Sequence, residues 1–168
     1  VAPAAAFAHG EHALVINSDN YYPIEALRSL REDFDGSALA AFTRKGLVRG
    51  GNISEERVSQ FAVLQRDRSG HLGRIIEKPG PKDIESVGEP VCVSMNCWRF
   101  GPAVFESCRH IEPSPRGELE IPDAVRYAKE KLGEVFEIKI FKAPVLDLSR
   151  RSDIEGVKRR LANVEVRL

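Results

Sequence analysis

Short apolar runs that alternate with segments of helical spacing constrain this 168-residue chain more than any other feature. The first run, Ala13 to Asn17, reads as a buried strand and is broken by Ser18, Asp19 and Asn20. Behind it, "PIEALRSLRED", Pro23 to Asp33, sets Ile24, Leu27, Leu30 and Arg31 at helical spacing, with a proline suited to a first turn. "SALAAFTR", from Ser37, is a second buried strand, and "KGLVRGGNISEE", from Lys45, is a Gly- and Asn-rich loop. "RVSQFAVLQRD" and "LGRIIEKPG" flank "RSGH", Arg68 to His71, which has the length and the glycine of a hairpin turn. Another strand, "EPVCVSMNCWRF", leads through Gly101 and Pro102 into a short helix, and "EIPDAVRYAKEKLG" is a helix closed by Gly133. "EVFEIKIFKAPVLDLS" gives two strand segments parted by Ala143 and Pro144. "RSDIEGVKRRLANV" is a last helix with Ser152 as its cap.

Strands that alternate with helices predict an α/β layered fold, and the hairpin makes its sheet mixed. In open α/β sheets the ligand sits past the carboxyl ends of the strands, which is where Asp19 stands. The length supports one hydrophobic core, so residues 1–168 are expected to form a single domain. "VAPAAAFAHG" at the start resembles the tail of an amphipathic helix with no start signal before it, and the expectation is that the domain is incomplete at its N-terminal side.

Lys plus Arg equal Asp plus Glu at 25 each, which argues against a nucleic-acid partner whose affinity comes from neutralising a phosphate backbone. No apolar run approaches bilayer length, so no membrane partner is expected, and the start lacks the order of a signal peptide. Cys92, Cys97 and Cys108 form no CxxC pair and read as reduced thiols in a cytoplasmic protein. A homo-oligomer is left open.

Two aspartates occupy equivalent places: Asp19 ends "ALVINSD" and Asp147 ends "APVLD". Carboxylates projected from strand ends toward one crevice suit Mg²⁺, which is usually held by one or two carboxylates and otherwise by water and phosphate oxygens. Either residue alone is equally a turn-former. In "IIEKPG", strand alternation would put Glu77 and Lys78 on opposite faces, the first able to accept from sugar hydroxyls, the second a point charge for phosphate; a solvated surface pair is the competing reading. "SPRGELEIPDAV" sets Arg116, a planar fork for phosphate oxygens, shortly before a helix start, where it could equally be a surface residue. Asn96 is a polar exception within a strand and needs a partner; Trp98 reads as core or pocket wall. His9, His12, His71 and His110 share no ligand spacing, and "GLVRGGN" lacks the Lys-Ser/Thr of a phosphate loop.

Taken in order, these motifs resemble the sugar-1-phosphate nucleotidyltransferases, the family of glucose-1-phosphate thymidylyl- and uridylyltransferases. "LVINSDNYY", "GRIIEKPG", "SMNCWRF", "RGELEIPDAV" and "LDLSRRSDIEGVKRRL" follow the family's order over nearly the whole chain. The resemblance implies a Rossmann-like mixed sheet of the nucleotide-diphospho-sugar transferase type. It implies a reaction joining a nucleoside triphosphate to a sugar 1-phosphate, with release of pyrophosphate. It further implies that Asp19 and Asp147 bind Mg²⁺, that Lys78 and Arg116 hold the sugar phosphate, that Glu77 hydrogen-bonds the sugar, and that Asn96 and Trp98 line its pocket. Asp19, Lys78, Arg116 and Asp147 are thus the catalytic candidates, acting by positioning and charge neutralisation.

The chain departs from the family pattern in three places. The Gly-rich signature that grips the triphosphate is nowhere in these 168 residues, Ala62 stands where a glycine is common, and the terminal motif reads "DLS" where glycine and threonine are usual. The expectation is therefore the C-terminal two-thirds of the domain, inactive by itself. The alternatives are a non-catalytic sugar-phosphate-binding or regulatory module of the same fold and, less favoured because "SDN" matches Asp-x-Asp poorly, a glycosyltransferase.

Overall fold

A computed structural model describes residues 1–31, 36–115 and 117–164 of the chain. The strands are β1 (Ala13–Val15), β2 (Asn20–Tyr21), β3 (Ser37–Thr43), β4 (Val63–Arg66), β5 (Leu72–Ile76), β6 (Cys92–Phe100), β7 (Phe136–Phe141) and β8 (Leu146–Asp147). The α-helices are α1 (Ala5–Ala8), α2 (Ile24–Arg31), α3 (Arg44–Gly50), α4 (Glu55–Val58), α5 (Pro81–Val87), α6 (Pro102–Ser107), α7 (Ile121–Leu132) and α8 (Ile154–Leu161).

The main sheet runs β5-β4-β6-β3-β7, with β1 also on β6, while β2 and β8 make a separate two-stranded ribbon. Among the described residues only the β3–β7 pair is parallel, so the sheet is mixed, as the hairpin predicts. All seven residues of β3 are buried, because that strand is flanked on both edges and covered on both faces. Its side chains alternate between two cores. Ala38, Ala40 and Phe42 join Leu30 of α2, Leu47 of α3 and Val58 of α4; Leu39 and Ala41 join Val104 of α6 and Ala124, Val125 and Ala128 of α7. The result is three layers, helices on either side of one sheet. Among the described residues, no helix is long and apolar enough to cross a membrane.

Several local expectations change. "KGLVRGGNISEE" is a loop only at 51–54 and helical on either side: the Thr43 hydroxyl accepts from the Gly46 amide to start α3, and the Ser54 hydroxyl accepts from Arg57 N–H to start α4. The glycines suggest a loop, yet Gly46 is there because a Cβ would run into the Lys142 backbone carbonyl. α5 has no counterpart in the sequence reading; Pro81 starts it and the Asp83 carboxylate accepts from Gly80 N–H at 2.8 Å. Ser152 does not cap the last helix, since it lies within a 3₁₀ turn, Arg151–Asp153, whose entry is closed by the Asp153 carboxylate accepting from Arg150 N–H at 2.9 Å. The end of the expected helix beyond Pro23, at Glu32 and Asp33, lies outside the described residues.

Candidate functional site

β6 is flanked by β3 on one edge and by two different strands on the other. Val63 of β4 pairs with Val93, and Ala13 to Val15 of β1 pair with Phe100 to Trp98. β1 and β4 run in the same direction, so the carboxyl end of β1 faces the amino end of β4 across a gap floored by β6. Ser94 N–H still reaches the Ala62 carbonyl at 2.9 Å, but among the described residues no strand lies opposite Met95, Asn96 and Cys97 on that edge. On its other edge β6 bulges at the same place: Leu39 faces Trp98 while Ala41 faces Ser94. Asn96, at φ +52°, makes that bulge, and asparagine tolerates the left-handed region better than most residues.

One side of the gap holds a cavity of about 170 Å³. Glu77, Asn96 and Trp98, three of the sequence candidates, line it together with Ala62, Ser94 and Pro122. Asn96 finds its partner in Trp98, whose indole N–H donates to Oδ1 at 3.4 Å. Trp98 itself is 1% exposed and stacks on Phe100 with ring centres 5.2 Å apart, so it is chiefly core and offers the cavity one rim. Strand alternation does not place Glu77 and Lys78, because β5 ends at Ile76. Lys78 instead takes φ +47° before Pro79, is exposed, and is not part of the cavity lining. Of three non-glycine residues with positive φ among those described, Lys78 and Asn96 are two, and strained backbone of this kind clusters at ligand sites. Arg116 lies outside the described residues.

Asp19 and Asp147 come together at the ribbon. β1 stops at Val15, so Asp19 is not projected from that strand; it sits in the turn before β2, and its carbonyl accepts from Leu148 N–H at 2.9 Å. Asp147 ends β8, opposite Asn20. The Ser149 hydroxyl contacts both carboxylates, Asp19 Oδ2 at 3.1 Å and Asp147 Oδ1. Two carboxylate oxygens within reach of one hydroxyl are near enough for a hard cation to engage both with modest adjustment, and two acids complete the usual protein share of a Mg²⁺ site. Among the described residues no cluster of three or more His, Cys, Asp or Glu offers an all-protein cage.

The supporting residues are ones that the sequence does not signal. Asp147 is 4% exposed, and a buried carboxylate needs partners. Arg57 Nη2 meets its Oδ1 at 3.0 Å, and Nη1 donates to both oxygens of Asp153 at 3.1 Å. Asn52 grips the backbone of Asp147 twice, accepting from its N–H at 2.9 Å and donating to its carbonyl at 2.6 Å. Tyr22 ties the Asp19 turn to the bulge, its hydroxyl donating to the Met95 carbonyl at 2.5 Å and accepting from Asn17 N–H and the Asn20 amide at 3.2 Å each. Burial pushes the Tyr22 phenol up to about 12, so the hydroxyl stays a donor. The proline after "DNYY" draws the eye to a turn, whereas the second tyrosine of that pair is the structural bolt.

All three cysteines are free thiols, Cys92 and Cys97 buried. The histidines stand apart from the gap: His12 accepts from Gly36 N–H at 3.3 Å, and His110 contacts Glu106 and stacks on Tyr127.

Comparison with known proteins bears on this arrangement. The sequence model of the Nucleotidyl transferase family matches residues 1–141, a span that ends before Asp147. The low-salt glycan biosynthesis nucleotidyltransferase Agl11 of Haloferax volcanii is 38% identical over 73 residues, 42% of this chain and 18% of that protein. A glucose-1-phosphate thymidylyltransferase of Streptomyces antibioticus is 41% identical over 71 residues, 41% of this chain and 18% of that protein. A UDP-glucose pyrophosphorylase solved with UDP-glucose superposes with a TM-score of 0.66 at 20% identity, covering 98% of this chain and 61% of that one. The likeness establishes the fold, and the chain spans about three-fifths of the solved structure.

Proposed function

This chain belongs to the nucleotidyl transferase family, and on that premise we propose that it forms the sugar-phosphate side of an enzyme that joins a nucleoside triphosphate to a sugar 1-phosphate. The products are a nucleotide sugar and pyrophosphate. One observation carries the reading: a gap in the sheet, at the strained bulge of β6, has a polar cavity beside it and a carboxylate pair tied to it.

In this reaction an oxygen of the sugar phosphate attacks the α-phosphorus in line, and the bond to the bridging oxygen of the β-phosphate breaks as pyrophosphate leaves. No side-chain nucleophile is needed, so the protein's part is to position two anions and offset their charge. Glu77 accepts from sugar hydroxyls, Asn96 and Trp98 bound the ring, and Lys78 and Arg116 hold its phosphate. Asp19 and Asp147 hold Mg²⁺, which when bound neutralises phosphate charge and orients the reacting groups. Arg57 and Asn52 keep Asp147 in place. Buried free thiols at Cys92 and Cys97 suit a cytoplasmic setting.

The reading is tested by thermal unfolding of the chain with glucose 1-phosphate and Mg²⁺. A ligand that binds the native state at 100 times its Kd stabilises by about 2.7 kcal/mol, so a rise in Tm is expected for the wild type and a smaller one for Glu77→Gln. No rise at millimolar sugar phosphate, or an equal rise with inorganic phosphate alone, overturns sugar recognition here.

A further inference from the structure

Ser149 stands between the two carboxylates in a way that their geometry leaves chemically incomplete. Its Oγ lies 3.1 Å from Asp19 Oδ2 and also contacts Asp147 Oδ1. A serine hydroxyl carries one proton, so only one of these contacts can be a hydrogen bond at a time, and the other sets a lone pair against an anionic oxygen. Asp147 Oδ1 is already supplied, accepting from Ser149 N–H at 2.8 Å and from Arg57 Nη2 at 3.0 Å. The hydroxyl is therefore not needed to satisfy Asp147. The Ser149 backbone is nevertheless held, because the Asp147 side chain closes a turn onto its amide and β2 pairs with β8 directly alongside.

Oxygens of Asp19, Asp147 and Ser149 thus lie together, and the one hydroxyl proton can serve only one of the two carboxylates at a time. A divalent cation at that face would turn the unfavourable contact into a ligand bond, since the hydroxyl has two lone pairs to offer. Mg²⁺ and Mn²⁺ favour oxygen ligands, and three protein oxygens would leave half of an octahedral shell for water or phosphate. Resting on the cation reading above, we propose that Ser149 Oγ is the third protein ligand of the divalent cation held by Asp19 and Asp147. Ser149 is exposed, so its replacement should leave the fold intact.

The test is Mn²⁺ binding to the 168-residue chain, followed by the electron paramagnetic signal of free Mn²⁺ and by water-proton relaxation, with circular dichroism and Tm checked for every variant. Ser149→Ala is expected to bind about tenfold more weakly, the low end of what loss of a supporting group costs a metal site. Relaxation enhancement per bound ion should rise as a water replaces the hydroxyl, and Ser149→Thr should bind as the wild type does. Wild-type binding that Ser149→Ala leaves unchanged or tightens overturns Ser149 as a ligand while sparing the carboxylate pair. Binding that is absent, or that Asp19→Asn leaves unchanged, overturns the carboxylate site and this proposal with it.

Discussion

Arg57 donates to Asp147 and Asp153 at once, joining α4 to β8 and to the turn before α8. All three side chains are largely buried, at 12%, 5% and 10% exposure, so removing the guanidinium strands two carboxylates rather than merely losing two surface contacts. Arg57→Met is expected to cost about 3–5 kcal/mol in urea unfolding. Arg57→Lys should recover only part of that, because an ammonium cannot fork between two acids. A second expectation concerns pH. Burial raises the Cys97 thiol from 9.0 to about 12 and the Tyr22 phenol from 10.0 to about 12. Between those limits the unfolded chain releases protons that the folded chain retains, so stability is full below about pH 9 and falls as pH rises toward 12. Unfolding free energies from denaturant titrations between pH 8 and pH 11 should decline by a few kcal/mol in all, and that of Tyr22→Phe should decline less steeply. At this scale the sequence shows which residues have suitable chemistry but not which support them. Asp19 and Asp147 stand out by following apolar runs; Arg57 lies 90 positions from Asp147, and nothing local marks it.

Among the elements, β6 carries the most information, and its bulge is the part least visible in sequence. "EPVCVSMNCWRF" reads as one strand, and it is one, but the extra residues in it appear only from the register against β3. Asn96 stands out as a polar residue in a strand; its left-handed backbone is what explains it. Comparing Asn96→Val with Asn96→Gly isolates that backbone, since both remove the amide that receives the Trp98 N–H. The valine variant should be less stable by about 1–2 kcal/mol in equilibrium unfolding. The alternation of strands and helices is legible because its apolar periods are strong, as in α7, where Ala124, Val125 and Ala128 repeat at helical spacing and Gly133 at φ +70° ends the helix. α3 is missed for the opposite reason. Its glycines weaken the helical pattern, and their purpose, room for the Lys142 carbonyl beside Gly46, is a tertiary contact.

At the scale of the whole molecule, the residues proposed to hold phosphate, Lys78 and Arg116, belong to the sugar-phosphate side of the proposed reaction. The Gly-rich triphosphate signature is absent from the 168 residues, and the chain spans 61% of the UDP-glucose pyrophosphorylase it superposes on. Supplied with Mg²⁺, a nucleoside triphosphate and a sugar 1-phosphate, this chain is expected to form no measurable nucleotide sugar; release of pyrophosphate above the rate without protein would contradict that. The split edge of β6 has a mechanical meaning as well. The β4–β5 hairpin and β1 are both attached to β6, but among the described residues no strand continues the ladder between them at Met95 to Cys97. The Tyr22 hydroxyl, bonded to the Met95 carbonyl, spans part of that interval, so that a side chain and not a ladder holds the two lengths of edge in register.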